Sequence, residues 1–129
     1  MKPAAALLAG AAMLVASCAG PRNVLNTQAG SCFPGVPRAV ATVGHKGRLV
    51  GVRQVAATRL ARRLPEAAAL GRRELCLVAF RDDYRPGDIP DARPSSAGNF
   101  AVVALDRQGS HVLATFIVGR LPLRFQDRL

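Results

Sequence analysis

Leu75-Cys76-Leu77-Val78-Ala79-Phe80 is apolar at every position, and this run constrains the fold more than any other stretch of the chain. Its length and composition fit a strand. A strand with no polar alternation has to be covered on both faces, so the run is the expected centre of a sheet.

The segments around it carry weaker but consistent signals. Ala39 to Val43 and Arg48 to Val52 flank Gly44-His45-Lys46-Gly47, and a glycine-bracketed turn between β-branched segments predicts a hairpin. From Gln54 the period changes to that of a helix. Ala56, Ala57, Leu60, Ala61 and Leu64 share one arc of a helical projection, while Arg59, Arg62 and Arg63 occupy the opposite arc. Pro65-Glu66 ends this helix or opens a second short turn, and Gly71 is the expected stop. Arg81 to Gly98 holds Asp82, Asp83, Asp88 and Asp91 together with three prolines and no apolar period, and reads as a long exposed loop. Phe100 to Leu105 and Val112 to Val118 flank a short connection containing Gly109, which predicts a second hairpin. Pro122 limits Leu121 to Phe125 to an edge strand or coil.

The expected order is ββαβββ, an α+β fold with a small, mostly antiparallel sheet and one amphipathic helix packed on a face. No internal repeat is visible.

The N-terminus carries a different kind of information. After Lys2, residues Ala4 to Ala16 form a run of thirteen without a charged or strongly polar side chain. A spanning helix needs about 20 apolar residues, and a shorter run behind a positive charge fits a secretory signal. Val15-Ala16-Ser17-Cys18 at its end resembles the lipobox of bacterial lipoprotein precursors: an aliphatic residue, two small residues, then a cysteine. The resemblance covers only the leader and the new N-terminus. It implies diacylglyceryl transfer to the Cys18 thiol, cleavage between Ser17 and Cys18, and anchoring to the cell membrane or outer membrane on the extracytoplasmic side. Several acyl chains, at ~0.8 kcal/mol per buried methylene, hold a protein durably where one does not. An ordinary secretory signal with a coincidental cysteine is the alternative.

This leader divides the chain into a cleaved signal over 1–17, a lipidated flexible tether over 18–37, and a single domain over 38–129. The tether is rich in Gly, Pro, Asn and Ser. It spans about 20 Å between Cys18 and Cys32 as a flexible coil, which holds the domain close above the membrane. With Cys18 taken by lipid, the resemblance leaves Cys32 and Cys76 as an even pair in a compartment where disulfides persist. The alternatives are two free thiols, or a thiol-redox pair that cycles.

Charge then bears on partners. The whole chain is formally +10, with 18 basic and 8 acidic side chains, and loss of Lys2 with the leader lowers the total to +9. Arg59, Arg62 and Arg63, extended by Arg53, Arg72 and Arg73, form the one cluster large enough to suggest a partner. A solvated helix face explains it without any partner. As a functional surface it would meet anionic headgroups, an envelope polymer or an acidic protein. Nucleic acid is not expected outside the cytoplasm, and with no Trp and a single Tyr, Tyr84, the chain offers few platforms on which bases or sugars stack.

Catalytic chemistry finds little support. Ser110 and His111 are adjacent, and on a strand they would point to opposite faces. No G-x-S-x-G is present, and a cysteine inside an apolar strand is ordinarily inert. His45 and His111 lie far apart, with no C-x-x-C or H-x-H spacing. The acids of the 81–98 segment lack the alternating pattern of a calcium loop, and are expected to pair with Arg81, Arg85 and Arg93. The reading is of a non-enzymatic binding or accessory module with no cofactor, metal or catalytic set. A small extracytoplasmic enzyme or a redox protein using Cys32 and Cys76 is the alternative.

Overall fold

A computed structural model describes residues 28–92 and 97–125. In chain order these form a 3-10 helix Gln28–Gly35, α1 (Val36–Thr42), β1 (Arg48–Ala56), α2 (Ala57–Arg63), a 3-10 helix Pro65–Leu70, β2 (Glu74–Tyr84), β3 (Gly98–Asp106) and β4 (Val112–Val118). The leader, Cys18 and the first part of the expected tether lie outside the described residues.

The strands make one antiparallel sheet in the order β1-β2-β3-β4, so the apolar run of β2 is interior, as its composition requires. Its side chains feed two cores. Cys76, Val78 and Phe80 join Ala101, Val103, Leu105 and Ile117 on one face, and Leu75, Leu77 and Ala79 join Val102, Ala104 and Phe116 on the other. The sheet is therefore the middle of three layers. On the second face lie α2 and the 3-10 helix after it, through Ala57, Leu60, Leu64 and Ala67. On the first lie Cys32, Ala39 and Val43.

That first layer corrects two expectations. Ala39 to Val43 belongs to a helix and the turn after it, not to a hairpin strand. Val36, Ala39, Val40 and Val43 recur at helical spacing, and all four pack against the first core. Pro37 falls in the first turn, where its missing N–H costs nothing. Gly44-His45-Lys46-Gly47 is still a turn, with Gly44 at φ 64°, but it joins helix to strand. Gln28–Gly35, expected as tether, is a 3-10 helix against β1 and β2, with Cys32 fully buried. One helix on one face is thus replaced by helical layers on both.

The remaining elements follow the sequence more closely. α2 buries Ala57 and Leu60 and exposes Arg59, Arg62 and Arg63, and Gly71 ends the following turn at φ 76°. The β3–β4 hairpin closes through Gly109 at φ 72°, against which Gly35 packs backbone to backbone; a Cβ on Gly35 would stand 3.0 Å from the Gly109 Cα. Leu121 to Phe125 is coil, and it buries Phe125 in the second core.

The long loop is shorter than its composition suggests, because β2 continues to Tyr84 and β3 begins at Gly98. Tyr84 and Ile89 are buried in the first core. The Tyr84 hydroxyl donates to the Lys46 carbonyl at 2.6 Å, tying the end of β2 to the turn before β1. Burial first, and the Asp82 charge second, raise the Tyr84 phenol from 10.0 to about 12. The fold disfavours the phenolate, so this stabilisation is complete below pH 10 and is lost as pH rises through 12. Discounted for solvent screening, the loss amounts to about 1–2 kcal/mol. Urea denaturation on either side of this window should show that fall in the parent and a flatter profile in Tyr84→Phe.

Candidate functional site

The candidate site is a groove at the outer rim of β1, which is an edge strand of the sheet. Successive residues of a strand point to opposite sides, so Gln54 faces the side of the first 3-10 helix while Arg53 faces the side of α2. Along β1, Arg53 pairs with Leu77 and Gln54 with Cys76, which belong to the two different cores. The groove has a volume of about 650 Å³ and takes in Arg53, Gln54, Arg59, Glu74, Arg124 and Phe125.

Arg53 is half-buried, and its position is set by the C-terminal segment. Its Nη1 donates to the Arg124 carbonyl at 2.6 Å. The same segment is seated by Phe125 over Gly51, where a Cβ would come within 2.8 Å of the phenylalanine Cβ. Burial first, and the neighbouring Arg59 second, lower the Arg53 guanidinium below its usual value. Crowded like charges of this kind favour an anion as partner.

Of the six arginines singled out in the sequence, the groove brings together Arg53 and Arg59. Arg62 and Arg63 are exposed on α2, and Arg72 and Arg73 are exposed in the turn before β2. The Arg73 carbonyl accepts the Ala57 N–H at 2.8 Å, which joins that turn to the first residue of α2. Among the described residues, none of the six forms an ion pair with a carboxylate. Arg124 was missed by sequence reasoning. Its place in the groove depends on a coil folding back seventy-one residues along the chain, which no local pattern announces.

Cys32 and Cys76 form a disulfide, with Cα atoms 5.4 Å apart and both residues fully buried. Burial of both sulfurs blocks the approach of an attacking thiolate, which gives the bridge a structural role and counts against cycling. Among the described residues the acids at the end of β2 and after it that form ion pairs do so with Lys46 and not with the Arg81 or Arg85 side chains. Lys46 lies 4.0 Å from Asp82 and 3.6 Å from Asp88, while Asp88 also accepts the Arg85 backbone N–H at 2.8 Å. Arg93 lies outside the described residues. Asp106 accepts the Ser110 N–H at 2.7 Å and faces His111 Nδ1 at 3.0 Å, so Ser110 and His111 both serve to close a turn. No three His, Cys, Asp or Glu side chains converge among the described residues.

Comparison with protein-family models, curated proteins and solved structures gives no match to this chain.

Proposed function

We propose that the protein is an envelope lipoprotein, anchored through acyl chains on Cys18, whose domain is a non-enzymatic binding or accessory module that holds a basic edge against an anionic surface. One observation carries the reading. Ser31 Oγ donates to Gln54 Oε1 at 3.1 Å, which places the entry of the chain into the domain beside the arginine groove. With Gln28–Gly35 part of the domain, only ten positions separate Cys18 from its first residue, and a flexible chain of that length, averaging about 17 Å, would keep that edge at the membrane. Arg59, Arg62, Arg63, Arg72 and Arg73 are exposed and lack carboxylate partners among the described residues, so their charge is available to anionic headgroups, an envelope polymer or an acidic protein.

The headgroup form of the reading has a direct test. Near an anionic surface each arginine contributes about 1 kcal/mol, so replacing Arg59, Arg62 and Arg63 together with glutamine should weaken binding to phosphatidylglycerol vesicles by about two orders of magnitude. Cosedimentation of vesicles measures this, with circular dichroism to show that the variant is folded. Binding unaffected by the triple replacement, or by salt, would remove the basic edge from the function.

A further inference from the structure

Arginines from three separate parts of the chain line the β1 groove: Arg53 from β1, Arg59 from α2 and Arg124 from the C-terminal segment, whose carbonyl accepts from Arg53. We propose that this groove is a binding site for a phosphate monoester group, with Arg53 and Arg59 as its principal donors. The inference rests on the basic-edge reading above and names the chemistry that the edge recognises.

Three features support a discrete site over a diffuse positive field. Arg53 is already oriented, since one of its nitrogens is committed to the Arg124 carbonyl, and less side-chain freedom is lost when its remaining N–H groups meet an anion. The planar guanidinium fork matches two phosphate oxygens at once. Among the described residues Glu74 is the one carboxylate that lines the groove and it forms no ion pair, so three arginines and one glutamate give that lining a formal +2. That charge matches the dianion of a phosphate monoester better than the single charge of a diester. Among the described residues Arg53 has no carboxylate partner, and burial first and Arg59 second lower the proton affinity of its guanidinium, both of which an anion would relieve. A volume of about 650 Å³ admits the phosphate together with the group it esterifies.

The test is titration of the full-length protein, in neutral detergent, with inorganic phosphate, read from the arginine Nε–Hε resonances. Arg53 and Arg59 should shift along a saturable curve. Arg59→Gln, an exposed change that leaves the core untouched, should weaken binding about tenfold, while Arg62→Gln, on the same helix outside the groove, should leave it unchanged. Vesicles then separate the sources: preference for phosphatidic acid over phosphatidylglycerol at equal charge identifies a lipid headgroup, and saturation by phosphate without that preference identifies a soluble phosphate compound. A titration that does not saturate, or equal weakening by Arg59→Gln and Arg62→Gln, overturns the site. If vesicle binding still depends on the arginines in that case, the basic edge stands without it; if it does not, both readings fall.

Discussion

Reduction of the Cys32–Cys76 bridge is expected to lower the stability of the protein by about 4 kcal/mol. The two cysteines are 44 residues apart, and in the chain-entropy account a closed loop of that size removes a large share of the freedom of the unfolded chain. Small domains are stable by only about 5–15 kcal/mol, so the bridge accounts for much of the margin. Its position concentrates the effect. Cys32 is the buried residue through which Gln28–Gly35 is stapled to the interior strand β2, and Cys76 sits in the first core beside Val78 and Phe80. Urea unfolding with and without reductant gives the difference, and Cys32→Ala should reproduce the reduced midpoint. Hydrogen exchange should show Gln28–Gly35 opening ahead of the sheet once the bridge is gone. Equal midpoints under both conditions would mean that the layer over the first face does not depend on the disulfide.

Phe80→Ala is expected to cost about 3–5 kcal/mol through lost burial and the cavity left behind. The ring is 2 % exposed and packs in the core that includes Cys32, Ala39 and Val43. Phe116→Ala should cost a similar amount, since Phe116 is equally buried in the core on the other side of the sheet. The pair therefore tests the three-layer arrangement. A fold with one covered face would lose stability at one of these positions and hardly at the other. Phe33→Ala is the control: Phe33 is 39 % exposed on the first 3-10 helix, and truncating it should change stability by no more than about 0.5 kcal/mol.

The parts of the fold legible in the sequence are those with a strong local period. The continuous apolar run of β2 implied its interior position and its two covered faces, and the opposed arcs of α2 implied its buried Leu60 and exposed arginines. The β3–β4 hairpin was legible through Gly109, whose positive φ its connection requires. The helix through Ala39 is not legible in the same way. The tether-like composition of the residues up to 37 separates Val36 from Ala39, Val40 and Val43, and the remaining Ala39 to Val43 is short and β-branched. The Gly, Pro and Ser content of Gln28–Gly35 is what a 3-10 helix and a coil have in common, and only the burial of Cys32 distinguishes them.

The groove was half legible for a similar reason. Arg53 and Arg59 stand six positions apart, and a strand leading directly into a helix brings them to one rim. Arg124 and Phe125 arrive by tertiary contact alone, through the space above Gly51 and the Arg53 hydrogen bond. Tyr84 was likewise hidden, because the prolines and acids that follow it outweighed a single aromatic whose partner is the carbonyl of Lys46.

In the proposed function the basic edge works at a membrane because acyl chains on Cys18 hold it there. Metabolic labelling of cells with a fatty acid, followed by fractionation and a high-salt wash of the membranes, tests it most directly. Label is expected on the wild-type protein, together with its retention after the wash, and neither is expected for Cys18→Ala. An unlabelled wild-type protein, or a Cys18→Ala protein that stays in the washed membranes, would contradict it.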